Sequence, residues 1–251
     1  TAREGLGAAG TQTAALAFGG ANYGTPEGVS KKTETYNGSS WTAVNDMNNV
    51  RSYVAGFGLQ TAAIAVGGAP SSPVVLTTES WDGTNWTNLS SPSNVPVGMF
   101  TNASCGTQTA GLIFGGNNVS DSPPGVQSTT LDWNGSSWTA GGNMNTARRR
   151  LGGAGTSTAA LGFGGYLPSP FSTATEAYNG TSWTTLSATL ATGTGHMHGS
   201  GTAVSALSAG GATSTAGAVA TSYEFNNTIN AITQSSWSNG GNLNTARRFL
   251  G

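Results

Sequence analysis

The sequence predicts an all-β fold assembled from five copies of one four-stranded antiparallel unit. Three observations predict it. First, a Gly-Gly pair closes a short apolar run five times, at Gly19-Gly20, Gly67-Gly68, Gly115-Gly116, Gly164-Gly165 and Gly210-Gly211. The second members stand 48, 48, 49 and 46 residues apart. Second, an aromatic residue precedes a turn dipeptide in the same phase: Tyr36-Asn37-Gly38, Trp81-Asp82-Gly83, Trp133-Asn134-Gly135, Tyr178-Asn179-Gly180 and the weaker Phe225-Asn226-Asn227. Third, a tryptophan follows each of these, at Trp41, Trp86, Trp138, Trp183 and Trp237. Several markers recurring together at one fixed period are the signature of a repeat architecture.

Each element of the unit has a local reason. Ala14–Gly20 (A-A-L-A-F-G-G) alternates Leu16 and Phe18 with Ala15 and Ala17. Period two with small residues on one face describes a strand packed closely on both sides. We expect it to be the innermost strand, with glycine at its end allowing close backbone approach. The next strand is Thr33–Tyr36 (T-E-T-Y), and the Asn-Gly after it predicts a type I′ hairpin, whose two central residues need positive φ. The third strand carries the tryptophan. The fourth follows a basic segment, seen in Thr1-Ala2-Arg3, at Arg51, in Asn145–Arg148 and in Asn244–Arg247, and is expected on the outside. A T-Q-T or T-S-T turn then returns the chain to the next unit. No stretch has helical periodicity with caps. Four strands per repeat of about 49 residues predict the blades of a β-propeller.

The register suggests how the ring closes. Aligned on Gly-Gly, Leu6 matches Val54, Asn102, Leu151 and Met197, and Arg247–Gly251 repeats Arg3–Gly7. The expectation is a single domain over residues 1–251 with five blades. In this reading Arg3–Thr11 supplies the outer strand of the last blade, so that no sheet edge is left open. The alternative is a slice of a longer array of six or seven blades.

Composition narrows the function. Only 8% of the 251 residues are charged and the net charge is −1, which excludes the basic face of a nucleic-acid binder. Seven Trp, six Tyr and eight Phe at regular places argue against disorder. Cys105 is the sole cysteine, so no internal disulfide forms. No apolar run approaches the ~18 residues of a membrane span, so no membrane insertion is expected. No signal peptide is seen, but the chain begins at Thr1, so absent targeting signals carry no weight.

The unit resembles the kelch repeat. The resemblance rests on the strand ending in Gly-Gly, the aromatic before a turn, the tryptophan that follows, and Met or Leu with Arg before the next strand. Gly164-Gly165, Tyr178 and Trp183 carry it, as do the pairs Met47 with Arg51, Met144 with Arg148, and Leu243 with Arg247. Departures stand at Met99 and Thr194, where arginine is expected, and at Phe225, which lacks Asn-Gly. The resemblance implies a propeller over essentially the whole chain. The Gly/Ser/Thr/Asn/Ala texture is similar to kelch-like modules of bacteriophage virion and tail-fibre proteins and of bacterial surface proteins. It implies a non-enzymatic structural or binding module on a virion or cell surface. Its partners would be other virion or surface proteins, or cell-surface glycans.

Candidate ligand residues fall on the long loops Ala21–Lys32, Ala69–Thr77, Asn117–Thr129, Tyr166–Thr175 and Ala212–Thr221, which propeller topology places on one face. Recognition residues concentrate on variable loops of a rigid scaffold. Asn22, Tyr23, Glu27, Asn117, Asp121, Tyr166 and Phe171 combine aromatic and amide or acid groups, the means of stacking on and bonding a sugar; the plainer reading is ordinary loop residues folded onto the blade. The series Arg3, Arg51, Arg148 and Arg247 repeats in step with the fold markers. That favours guanidinium groups tying the fold together through loop carbonyls or Glu34 and Glu176 over a basic ring for an acidic ligand.

Chemistry is sparse elsewhere. His196 and His198 are two apart on an expected strand, which would put both imidazoles on one face. No carboxylate or cysteine is near in sequence, and the positions vary between repeats, so we expect surface histidines, no metal and no cofactor. A galactose-oxidase-like site would need a Tyr–Cys cross-link with further Tyr and His ligands, whereas Cys105 reads as a small buried residue. N-G-S-S-W and D-G-T-N-W differ from sialidase Asp boxes because Asp and Gly are adjacent. No nucleophile elbow or phosphate loop occurs. The sequons at Asn37, Asn134 and Asn179 coincide with the turn dipeptides, which account for the asparagine. A secreted propeller lectin is the alternative function, and a sialidase- or oxidase-like enzyme a weaker one.

Overall fold

The computed structural model describes residues 2–22, 28–69, 75–118, 125–167, 170–215, 217–227 and 236–239. Among these residues every regular element is a β-strand. Five antiparallel sheets follow one another along the chain, each with four main strands in sequence order. The first sheet contains Glu4–Thr11, Ala14–Asn22, Thr33–Tyr36 and Trp41–Val44, with Gly28–Val29 paired to the end of its second strand. The second contains Ala55–Leu59, Ala62–Val66, Thr78–Trp81 and Trp86–Asn88. The third contains Ala103–Thr107, Ala110–Phe114, Thr130–Trp133 and Trp138–Ala140. The fourth contains Gly152–Thr156, Ala159–Phe163, Thr175–Tyr178 and Trp183–Thr185. The fifth contains His198–Gly201, Ser205–Ala209, Ser222–Asn226 and Ser236–Asn239.

The phase of the unit differs from the sequence expectation. Glu4–Thr11 pairs along its length with Ala14–Asn22, Leu6 opposite Gly19 and Ala9 opposite Leu16. It therefore belongs to the first sheet and does not complete the last one, which has four strands of its own. The physical reason is the turn Gln12-Thr13. Two residues can only fold the chain back on itself, so the strands they join must pair. The same shift moves the A-A-L-A-F-G-G strand from the inner edge to second place. There Leu16 and Phe18 are fully buried, and the corresponding Ala63–Val66 is buried throughout. A strand with neighbours on both edges and sheets on both faces reads as near-continuously apolar.

The aromatic hairpin also differs. Tyr36 pairs directly with Trp41, so four residues make the turn. Only Gly38 takes a left-handed φ, of 93°. Asn37 instead uses its side chain: Oδ1 accepts from the amides of Ser39 at 3.0 Å and Ser40 at 2.9 Å. This Asx-turn satisfies the loop without the double left-handed geometry of type I′.

Consecutive sheets join through one repeated interface. Trp86 Nε1 donates to Thr33 Oγ1 at 3.0 Å and Trp138 Nε1 to Thr78 Oγ1 at 3.0 Å. Trp183 and Trp237 donate to Thr130 and Thr175, each at 2.9 Å. The same indoles pack on Phe18, Phe57, Phe114 and Phe163 of the preceding sheet. Each indole thus buries its ring, Trp237 in part, and keeps its N–H bonded. Trp41, on the first sheet, is 53% exposed. Consecutive first strands lie side by side and together border one central cavity.

The arginine position fastens this series. The Arg51 carbonyl accepts from Gly20 N of the first sheet at 2.8 Å. Its guanidinium enters the second sheet, donating to Gly67 O at 3.1 Å, Thr77 O at 2.9 Å and Glu79 Oε1 at 2.6 Å. Arg148 repeats the arrangement: its carbonyl accepts from Gly116 N at 2.7 Å, and its side chain reaches Gly164 O, Ala174 O and Glu176 Oε1, each at 2.8 Å. Arg3 pairs with Glu34 at 2.6 Å. Both Arg51–Glu79 and Arg148–Glu176 are wholly buried. Burial pulls the Arg51 and Arg148 pKa values down, and the facing carboxylate pushes them back up. Arg247 lies outside the described residues.

The departures at Met99 and Thr194 coincide with changes at the glutamate position. Where Glu34, Glu79 and Glu176 stand in three sheets, the third has Leu131 and the fifth has Tyr223. Met99 and Leu131 join one buried apolar cluster. The carbonyls of Met99 and Thr194 still accept from Gly68 N at 3.0 Å and Gly165 N at 2.8 Å. The main-chain link is kept while ion pair and apolar pair exchange as units.

Removing one partner of a buried ion pair costs about 3–5 kcal/mol, whereas replacing both by apolar groups is often neutral. Arg148→Met should therefore lower stability by about that amount in denaturant unfolding. Adding Glu176→Leu, which recreates the Met99–Leu131 pair, should recover a substantial part. The double variant being no more stable than the single one would count against this account.

Candidate functional site

The long loops and the segments entering each first strand lie at the same end of the sheets, as the antiparallel strand order requires. The structure places the predicted loop residues unevenly. Tyr23, Glu27 and Asp121 lie outside the described residues. Asn22 ends the second strand of the first sheet and pairs with Gly28. Asn117 is buried in a short ladder between Phe100 and Val126, so its side chain is not offered to solvent.

Tyr166 and Phe171 are brought together. They form an antiparallel bridge, and their rings meet edge to face at 5.1 Å. The Arg149 guanidinium carbon sits 4.6 Å from the Tyr166 ring centre, a cation–π contact that covers one face of the ring. Phe171 continues inward to His196, ring centres 6.3 Å apart.

His196 leads to a feature that sequence reasoning missed. Five residues in one register, Gly5, Tyr53, Thr101, Arg150 and His196, all have left-handed backbone, with φ of 62°, 53°, 56°, 54° and 58°. They are chained by main-chain hydrogen bonds from sheet to sheet. Tyr53 N donates to Gly5 O, Thr101 N to Tyr53 O at 3.3 Å, Arg150 N to Thr101 O at 2.7 Å and His196 N to Arg150 O at 2.8 Å. A left-handed residue with a side chain costs about 1–2 kcal/mol, and for β-branched threonine the conformation is a genuine outlier. The belt therefore holds four side chains where glycine would be easiest.

The belt lies on the wall of the central cavity, which has a volume of about 530 Å³. Below it the first strands offer mostly small residues, such as Gly7, Ala8, Gly56 and Gly153. Arg150 Nη1 lies 2.7 Å from His196 Nε2. An arginine can only donate, so Nε2 accepts and the imidazole carries its proton on Nδ1. The same guanidinium stands 5.8 Å from the Tyr53 ring centre. Thr101 and Asn102 also line the cavity, and Thr101 Oγ1 and Asn102 Oδ1 are buried without a hydrogen-bond partner. No Asp or Glu is among the described residues that line the cavity.

The histidines correct the sequence expectation. His196 is 9% exposed, not a surface residue. Its left-handed φ places it before the strand His198–Gly201, so strand alternation does not relate the two imidazoles. His198 is exposed, on the wall of the cavity, and desolvation by the surrounding protein pulls its pKa from 6.5 down to about 4. Among the described residues no three His, Cys, Asp or Glu side chains gather as metal ligands. Cys105 is buried and donates to Thr156 O at 3.5 Å; burial first and the charge of Asp132 second push its thiol up to about 12, leaving it unreactive.

The lowered His198 pKa has a definite sign. The unfolded chain takes up the proton first as pH falls below about 6.5, so stability falls from there toward about 4. His198→Gln should flatten that part of the stability–pH curve in denaturant titrations, relative to the parent; an unchanged slope would refute the lowered imidazole pKa. No described helix is long and apolar enough to cross a membrane. In comparisons with known proteins, no family model and no curated protein matches the chain.

Proposed function

We propose that the chain is a kelch-like β-propeller, most simply five-bladed, acting as a non-enzymatic structural and binding module. In this reading the five sheets are its blades and the first strands line its axis. Closing the ring sets Trp41 against the fifth sheet as Trp86 sits against the first, with Ser222 in the place of Thr33. The setting is a virion appendage or an extracellular surface, where the long-loop end meets host glycans or proteins. A secreted propeller lectin uses the same end.

One observation carries the non-enzymatic reading. The repeated charged groups, Arg51 with Glu79 and Arg148 with Glu176, are wholly buried in the scaffold and face no cleft. The groups that vary between repeats gather instead at one end, among them Tyr166, Phe171 and the belt residues. Rigid repetition with variation at one end is how binding scaffolds are built. The low charge of the chain fits a surface kept soluble by amides and hydroxyls.

Glycan-array binding tests the reading. The parent should retain a restricted set of glycans, and Tyr166→Ala or Phe171→Ala should reduce retention about tenfold while the thermal transition persists. Retention unaffected by either variant would move recognition away from this aromatic pair. Retention of no glycan would leave a scaffold role alone.

A further inference from the structure

We propose that the belt end of the central cavity binds a small organic carboxylate of sugar size, an acidic monosaccharide being the matching class. This site is separate from the loop aromatics and does not depend on them for its chemistry.

The argument starts from backbone conformation. All five belt positions are left-handed, the region that favours glycine, and Gly5 is the residue expected there. The other four sheets keep tyrosine, threonine, arginine and histidine at that strained point. Strain maintained at one place is a pointer to function when the side chains held there converge. Here they do converge, since Tyr53, Thr101, Arg150 and His196 all line one cavity. Folding alone does not explain the choice, because these are main-chain bonds and Gly5 accepts from Tyr53 N with no side chain.

The chemistry selects an anion. Arg150 brings a permanent positive charge, and its fork of donors suits a carboxylate. His196 accepts from that guanidinium, which holds the fork in place and leaves the imidazole neutral beside it. No described lining residue carries a competing carboxylate. Thr101 lines the cavity and is 7% exposed, and its hydroxyl is buried without a hydrogen-bond partner, a polar group that nothing else in the wall satisfies. Asn102 Oδ1 is a second such atom and accepts, which suits a ligand that also bears hydroxyl donors.

Size and shape select the body of the ligand. About 530 Å³ lies within the range of small-molecule pockets and exceeds what a bare ion needs. The Tyr53 ring supplies an apolar wall beside the charge, and the small residues below leave room for a polar ring. Leu207 and Ala15 also border the cavity, so its wall runs from the first sheet to the fifth.

Isothermal titration of the full chain with glucuronate, glucose and acetate tests the proposal. Glucuronate should bind saturably, at least tenfold more tightly than either comparison compound. Arg150→Gln should weaken it at least tenfold, and Arg150→Lys less. Thr101→Gly, which suits the left-handed backbone and so should fold, should weaken it severalfold. Methyl glucuronide binding as well as glucuronate would assign the carboxylate to a glycan end, and its failure to bind would assign it to a free acid. Equal binding of glucose, no binding of glucuronate, or glucuronate binding unchanged in a folded Arg150→Gln variant would each overturn the proposal. Glycan-array retention that depends on Tyr166 but survives Arg150→Gln would separate the failure of this site from that of the loop face.

Discussion

The structure depends on one two-ended link. At the residue that leads into each new sheet, the main-chain carbonyl accepts from the second glycine of the preceding Gly-Gly pair, while the side chain plugs the new sheet. One residue thus fixes the distance between two sheets and satisfies buried carbonyls within the second. The first glycine of the pair is forced by this link. Gly19 has φ of 67°, and a Cβ there would stand 2.7 Å from Arg51 O, closer than real side chains come. The Gly-Gly signature and the arginine signature are therefore two ends of one contact.

Ion pairing is not what the link requires. Arg51–Glu79 and Arg148–Glu176 are buried charges whose desolvation offsets much of their attraction. Met99 with Leu131 does the same work by packing. The main-chain link is held at all four junctions, and where Met99 replaces arginine its partner changes with it. The indole–threonine bond is the second constant. It links fourth strand to preceding third strand four times with nearly one geometry. Together the two contacts make the stack a chain of like joints, so each sheet depends chiefly on its neighbours.

Much of this was legible because repeats print their contacts repeatedly. Trp41 through Trp237 and the glycine pairs located all five units, and the alternation in A-A-L-A-F-G-G marked a buried strand. The phase was harder. A cyclic pattern of four strands can be cut at four places, and only the turn at Gln12-Thr13 says that Glu4–Thr11 and Ala14–Asn22 share a sheet. Asn37-Gly38 misled for a related reason: the dipeptide is a strong turn signal, but the four residues between Tyr36 and Trp41 decide the turn's form. The belt was invisible. Gly5, Tyr53, Thr101, Arg150 and His196 share a register, yet their variety looked like absence of constraint, and the same variety served to dismiss His196.

That variety has a structural meaning. Within a repeat, a position whose side chain is free on the surface varies because nothing acts on it. The belt positions are different, since their backbone is fixed by sheet-to-sheet hydrogen bonds in a conformation hostile to side chains. Left to stability alone, such positions drift toward glycine, as Gly5 illustrates. Four of the five resist, and they resist with a phenol, a hydroxyl, a guanidinium and an imidazole that border the same space. A scaffold that repeats its strands can specify a ligand only where the backbone repeats and the side chains do not, and the cavity end of the first strands meets both conditions.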